Sequence, residues 1–481
     1  MAQIDKLAIN AVEEARSSGA SYADCRYVEI KNESLSFSNG SPESVQRSSD
    51  RGIGIRVLAN GAWGFYGTSV VAENEISRAV KKAVEIGKAS ARLNDRPVRL
   101  VDTKSYKDNY ISNFKIDPFE ISLKEKLDYL SELDGIMAAR EELNSRDAHM
   151  DFRKTGSFFA SSEGTQVYQE IIQSDVGIDL GISKSHRERT SRSFPKNGGQ
   201  YECKGYELLS EYDFKSEIPR LSEEAQALLT AEDCPSRITD IVLEGSVVSL
   251  LIHELIGHPL ELDRVFGSER NFSGTSFATI DKLGNLQYGS PLINIVSDPT
   301  HPHGLASYGY DDEGVKAHKA DLIKNGILVG YLSSRETAAL ISGRSTGAMR
   351  ADSWGNIPIV RMTNVNLAPG DKSFDRILSS VDDGIYMSTV SSWSPSDDRS
   401  TFEFVCEIAW EIKGGKLGRI YKNPTFSGKT LEFWNSVKTV GDESSWKIWG
   451  TPNCGKGQPG QNARTAQGAS PILVTNVKVG G

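Results

Sequence analysis

The chain has 481 residues, about three times the ~150 residues of a common domain, which points to two or three domains. Its 64 acidic and 55 basic residues give a net charge of −9, which argues against a nucleic-acid binder or a protein held on an anionic membrane. With 38% hydrophobic and 25% charged residues the composition is globular, and no stretch reaches the ~18 uncharged apolar residues of a membrane span.

Residues 5–18 carry Leu7, Ala8, Ala11, Val12 and Ala15 at helical spacing and stop before Gly19. Strand patterns follow in CRYVEI and LSFS, then in GIGIRVLANGAWGFYGTS, where Asn60-Gly61 between apolar runs predicts a hairpin turn. ENEISRAVKKAVEIGKASAR reads as a helix, and this order predicts a two-layer α/β arrangement with a mostly antiparallel sheet. A helix from Ser122 to about Leu143 comes next, then alternating strands through DFRKTGSFFASS and TQVYQEIIQSDVGIDLGIS. The basic run 184–189 reads as a solvated loop, and Ser210 to about Ala231 as an amphipathic helix. Past Ser236 the chain is richer in glycine, short strands and turns. That part holds a helix around Ser246–Ile256, a loop-like stretch at Gly455–Ser470 and an alternating final strand, LVTNVKVGG. The predicted class is α+β. An N-terminal α/β region over 1–225, which a break near 100–120 would divide in two, precedes a C-terminal β-rich domain over 226–481 that carries the helix around Ser246–Ile256.

The N-terminus has acids at Asp5, Glu13 and Glu14 and no apolar core of a signal peptide. The five cysteines, at 25, 203, 234, 406 and 454, are odd in number and show no CxxC spacing. Both features point to a reducing, cytoplasmic setting rather than a disulfide framework or a zinc ribbon.

Two of the seven histidines flank an acid in LIHELIGHPLELD: His253, Glu254 and His258. In the HExxH motif the histidines are four apart and meet one metal from adjacent turns. Here they are five apart, which a regular helix would separate by about 140° and roughly 7–8 Å along its axis. Gly257 is a helix C-cap candidate and Pro259 disfavours the α region for His258, so the helix is expected to break or bulge there and turn His258 back toward His253. With both imidazoles on Zn²⁺, Glu254 stands beside the metal, placed to take a proton from the attacking water and hand it to the leaving amine. The plainer alternative is a core helix whose histidines bond other partners. Against it, Glu254 lies between Ile252 and Leu255, where an idle carboxylate is costly to bury.

A catalytic zinc takes three protein ligands and keeps one position open. Candidates for the third are Glu261, His301, His303, His318, Asp311, Asp312 and the cysteines. Cys454 stands out because it sits in PNCGKGQP, a tight polar loop with little core for a thiol to fill. A simple buried thiol, or a nucleophile with a histidine as base, are its alternative roles. His301, His303, Tyr308, Tyr310 and His318 could polarise a scissile carbonyl, and Asp311-Asp312-Glu313 could orient a ligand histidine; a plain turn or surface role is the default for each. Cys25, Cys203, Cys234 and Cys406 read as ordinary buried thiols. Gly52 and Gly54 read as strand glycines, without the GxGxxG pattern of a nucleotide loop.

Taken together, HELIGH, GYDDEGV (309–315), RMTN (361–364), DDGIY (382–386), EIAWEIKGGKL (407–417) and NCGKGQP (453–459) resemble the TldD/PmbA family, and within it the metal-bearing TldD-type branch. The resemblance covers most of the chain and is strongest from about residue 240. It implies a cytoplasmic zinc metallopeptidase that cuts peptides and unfolded proteins. It also implies His253, His258 and Cys454 as zinc ligands and Glu254 as catalytic base; the PmbA-type branch lacks the HExxxH. The implied fold is an N-terminal α/β region and a β-rich C-terminal domain holding the metal. The implied partner is a second copy or a PmbA-type subunit, in a homodimer or heterodimer. The long Gln/Gly-rich loop after Cys454 and the HisProHis run at 301–303 depart from the family pattern, so substrate preference does not carry over.

One thiolate and two neutral imidazoles would leave the zinc unit at about +1, less Lewis-acidic than a three-histidine site. Catalysis would then lean on substrate positioning, and an extended peptide held by main-chain hydrogen bonds along a strand edge of the C-terminal domain would provide it. Two rival readings stand beside this one. A non-hydrolytic peptide-binding or regulatory subunit with a structural metal would be indifferent to Glu254→Gln. A cysteine hydrolase using Cys454 would be sensitive to alkylation and insensitive to chelation.

Overall fold

Two sheets organise the chain in a computed structural model that describes residues 2–185 and 188–481. Of the basic run expected to form a solvated loop, His186 and Arg187 lie outside the described residues. The first sheet comprises β1 (Tyr22–Ser38), β2 (Ser41–Ala59), β3 (Ala62–Thr68), β4 (Lys107–Ile111), β5 (Ser145–Ser161), β6 (Gln166–Ser183), β7 (Arg189–Phe194) and β8 (Gln200–Glu202). Its order is β3-β2-β1-β5-β6-β4, with β7 and β8 also on β6. Every pairing is antiparallel except that of β4 with β6. The mixed α and β class and the largely antiparallel sheet agree with the sequence.

Strand alternation gives this sheet a face for helices. Cys25, Tyr27, Ile53, Ile55 and Val57 pack under α1 (Ala2–Ser17) and α2 (Glu73–Ser90). Farther along β1 and on β5 and β6, Leu35, Phe37, Met150, Phe152, Val176 and Ile178 pack under α3 (Leu123–Ala138) and α4 (Phe214–Leu228). One sheet therefore carries two helix pairs. Its other face meets the segment around residue 305: Gln173 donates to the Leu305 carbonyl at 2.6 Å and Gln169 to that of Tyr310 at 3.0 Å.

Several boundaries differ from the expected ones. CRYVEI and LSFS form one continuous strand, and β2 begins at Ser41 rather than near Gly52, because polar residues 41–51 still pair with β1. The Asn60-Gly61 turn is present, both residues having positive φ (52° and 81°), as a tight hairpin between β2 and β3 requires. The helix expected from Ser210 is shorter: a 3-10 segment (Tyr206–Glu211) precedes α4, which Asp213 caps by accepting the Ser216 N–H at 3.2 Å.

In the second sheet, five strands close on themselves: β9 (Arg237–Leu243), β10 (Asp383–Pro395), β11 (Thr401–Lys413), β12 (Thr425–Lys429) and β15 (Ile472–Gly480). The ring runs β9-β10-β11-β12-β15 and back to β9, with β9 parallel to β10 and the other pairs antiparallel. The apolar α5 (Gly245–Ile252) leaves the end of β9 and packs Val247, Val248, Leu251 and Ile252 against Ile385, Met387 and Phe404. The stretch expected to be a loop at Gly455–Ser470 is mostly strand: β13 (Lys447–Lys456) and β14 (Gln461–Ala469) form a separate hairpin. Its sequence is polar, yet Thr465 and Gln467 are buried and hydrogen-bonded, so composition alone could not mark it as a strand.

Candidate metal centre

The site begins where α5 ends. His253–Gly257 continue the helix as one π-helical turn, and His258–Leu260 follow as a 3-10 turn. The His258 N–H bonds the His253 carbonyl, an i→i+5 link that stacks residues a regular α-helix would separate. The two imidazole centroids are 5.0 Å apart with the rings at 87°. A bulge was expected here, but the route to it differs. Gly257 (φ −59°, ψ −62°) and His258 (φ −59°, ψ −46°) both remain right-handed, so Gly257 is no left-handed cap and Pro259 does not drive His258 out of the α region. Glycine is required for space instead: a Cβ at 257 would stand 2.0 Å from the Met362 sulfur.

Cys454 comes from β13, opposite Ala463 of β14, and its sulfur lies 3.5 Å from Nε2 of His258. Donor atoms of His253, His258 and Cys454 all fall within 4.8 Å of one another, and all three residues are buried. They line a cavity of about 590 Å³ together with Glu254, Trp393 and Arg399. Two imidazoles and a thiol at this separation match the donor set of a borderline-soft ion with three protein ligands and an open fourth position.

Each of these side chains is held by another. Glu261 lies 2.9 Å from Nδ1 of His258, accepts the Met362 N–H at 3.1 Å and has the Lys456 ammonium 3.5 Å away. Thr465 Oγ1 sits 3.3 Å from Nδ1 of His253, and Arg361 donates to the Cys454 carbonyl. The Glu254 carboxylate accepts the Trp393 indole N–H at 2.9 Å, and its other oxygen is 3.6 Å from the Arg399 guanidinium.

The charges follow from these neighbours. Burial would raise the Glu254 carboxyl, but His258, His253, Arg399 and the Trp393 hydrogen bond outweigh it and hold it below its ordinary value. Burial likewise opposes the Cys454 thiolate, and His258, His253 and Arg361 overcome it, leaving the thiol far more acidic than usual. His258 is disfavoured as a cation by burial, yet Cys454 and Glu261 push it up to about 10. Each of Cys454 and His258 thus favours the charged form of the other.

Other candidates are elsewhere. Glu261 contacts His258 from the side away from the sulfur, as an orienting group rather than a member of the ligand cluster. Asp311 caps a turn through the Glu313 and Val315 N–H groups, Asp312 pairs with Arg26, and Glu313 with Arg56; none orients a ligand histidine. His301 packs on Trp446, Tyr308 donates to the Gly347 carbonyl, Tyr310 to Asp108, and His318 contacts the Lys316 carbonyl. None of these, nor His303, lines the cavity of the cluster. Cys25, Cys203, Cys234 and Cys406 are buried thiols, as expected. Sequence reasoning missed Trp393, Arg399, Thr465 and Lys196, a further cation on the cavity wall. Only Glu261, three residues after His258, carried a local signal.

Residues 236–481 match the model of the PmbA/TldA metallopeptidase C-terminal domain, and residues 23–87 that of domain 1 of the same family. The chain belongs to the TldD/PmbA metallopeptidase family. Its relatives include the metalloprotease MJ0996 of Methanocaldococcus jannaschii, 30% identical over 87% of this chain and 89% of that one. A metalloprotease TldD homolog of Buchnera aphidicola is 29% identical over 98% of this chain and 95% of its own. The zinc metalloprotease TldD homolog of Saccharolobus solfataricus is 24% identical, over 98% and 99%. TldE of Thermococcus kodakarensis shares the fold, with a TM-score of 0.74 at 16% identity over 98% of this chain and 99% of that one. As a TldD/PmbA protein the chain carries a family-level assignment as a metallopeptidase. Among the described residues no helix is long and apolar enough to cross a membrane.

Proposed function

We propose that this chain is a zinc-dependent peptidase of TldD type that hydrolyses unfolded or flexible peptides, with His253, His258 and Cys454 as zinc ligands and Glu254 as general base. The observation that carries it is the convergence of two imidazoles and one thiol beside a buried, ionised carboxylate in one cavity. Zinc, when bound, supplies a Lewis acid that polarises the scissile carbonyl and makes water more acidic. Glu254 takes the proton of the attacking water and returns it to the leaving nitrogen. Trp393 and Arg399 hold its two oxygens, so the carboxylate keeps one orientation. Glu261 fixes the ring of His258, and Thr465 that of His253, each through Nδ1. Among the described residues β13 pairs only with β14, and Thr451–Gly455 line the metal cavity, where an extended peptide would be held by main-chain hydrogen bonds. An alanine scan of a model peptide that found one dominant side-chain pocket would contradict that mode of binding.

We place the protein in the cytoplasm and in a dimer, with a second copy or a PmbA-type subunit. Light scattering of the protein alone and with such a subunit tests the pairing. The decisive measurement is metal content of the wild type and of Cys454→Ser, alongside hydrolysis of an unstructured peptide. About one zinc per chain is expected, lost together with cleavage in the variant. Full zinc in Cys454→Ser would remove Cys454 from the site. A wild type without metal would favour the non-hydrolytic binding subunit.

A further inference from the structure

A second cavity, of about 530 Å³, lies between the first sheet and the β13–β14 hairpin, and four arginines line it: Arg26, Arg153, Arg350 and Arg464. Pro452 and Asn453, next to Cys454, line both this cavity and the one that holds the metal centre. Its acids are largely engaged. Asp312 is paired with Arg26 at 3.3 Å, Asp50 accepts the Trp354 indole N–H and Asp352 accepts the Asn356 amide.

Arg153 and Arg464 lack such partners. Among the described residues neither has a carboxylate within 4.0 Å. Arg153 reaches only neutral acceptors, the Thr155 hydroxyl and the Asp352 carbonyl, each at a long 3.4 Å. Arg464 lies over the Tyr201 ring, 5.8 Å from its centroid. Arg350 bonds the Arg464 and Met362 carbonyls, and its buried Nε has no partner among the described residues. Burial and the nearby Arg464 push Arg153 down to about 10, against the pull of Asp352. Burial lowers Arg464 too, against the more distant pull of Asp151 and Asp175. Guanidinium groups desolvated side by side with no carboxylate in direct contact are unfavourable, and their planar forks match a carboxylate in a bidentate geometry.

We propose that Arg153 and Arg464 form a carboxylate-binding site for the peptide substrate, across the Pro452–Asn453 lip from the metal centre. The site takes a peptide's acidic side chains or its C-terminal carboxylate, and it makes the enzyme prefer peptides that carry them. The proposal rests on the peptidase reading above.

Four short labelled peptides of one unstructured sequence test it: glutamate-rich or glutamine-rich, each with a free or an amidated C-terminus. Binding is read by fluorescence anisotropy on Glu254→Gln, and hydrolysis on the otherwise wild-type enzyme. The glutamate-rich free acid is expected to bind about tenfold tighter than the glutamine-rich amide. An effect of glutamine substitution assigns the site to side chains, and an effect of amidation to the C-terminus. In Arg153→Gln/Arg464→Gln the preference should vanish while hydrolysis of the neutral peptide and the melting temperature hold. Arg464→Lys, which keeps the charge but loses the fork, should retain part of it. Equal binding of all four peptides, or a preference that survives in the double variant or, should that fail to fold, in Arg464→Gln alone, would overturn the proposal. Discrimination in binding without hydrolysis of any peptide would overturn the peptidase reading and leave the carboxylate site standing.

Discussion

The Glu261 carboxylate lies 2.9 Å from Nδ1 of His258, which leaves Nε2 of the same ring facing the Cys454 sulfur at 3.5 Å. The ring is thus fixed from both sides, and Glu261 is itself fixed by the Met362 N–H and Lys456. Glu261→Gln keeps the shape and removes the charge. It should weaken zinc binding by about 10–100-fold, measured by competition with a chromogenic chelator. The melting temperature should also fall, because the buried Lys456 loses one of its carboxylate neighbours.

Trp393 adds to the effect of His258, His253 and Arg399 on the pH dependence. The Glu254 carboxyl is held below its ordinary value, so the base is ionised at neutral pH and activity should fall only as pH drops through that lowered pKa. Trp393→Phe removes a donor to the ionised form. The acid limb of kcat/KM against pH should move to higher pH, with activity at pH 8 changing less than about threefold. An unmoved acid limb would mean that Glu254 is not the group titrating there.

Metal removal should expose a reactive thiolate. In the metal-free protein Cys454 is strongly acidified, whereas burial pushes Cys203 up to about 12 and Cys234 to about 11. Iodoacetamide at pH 7 should therefore modify Cys454 before the other four cysteines, and added zinc should protect it, as peptide mapping by mass spectrometry would show. A cysteine hydrolase would instead stay active in chelator, so activity measured beside the mapping separates the two readings.

Gly257→Ala would place a methyl 2.0 Å from the Met362 sulfur. The overpacking should cost about 1–3 kcal/mol in chemical denaturation and lower zinc affinity, because the π-turn that stacks the histidines has to shift. Met362→Ala in the same chain should recover part of both. A double-mutant cycle with no coupling between the two positions would rule out this contact as the reason for the glycine.

The local features of this protein were legible from sequence because short-range backbone chemistry sets them. His253, Glu254 and His258 fall within six residues, and their five-residue spacing beside Gly257 and Pro259 announced a distortion of the helix. Asn60-Gly61 announced its hairpin for the same reason, since few residues accept positive φ at both positions. The form of the distortion was not legible: whether Gly257 served as a cap or as a gap depended on Met362, more than a hundred residues away. Cys454 was a candidate from its loop, and only the family resemblance implied it as a ligand; its placement beside His258 depends on strand pairing across the chain. Trp393, Arg399 and Thr465 left no sequence signal, because a hydrogen bond to Glu254 or His253 needs only one donor or acceptor at the right place, and many residue types supply one. The buried polar strand at Gln461–Ala469 was likewise hidden, since alternation reports apolar burial and is silent when the buried face is polar. Sequence determined the chemistry available and its local geometry. The tertiary structure decided which distant groups meet it, because closing those contacts depends on the packing of the whole chain rather than on any one segment.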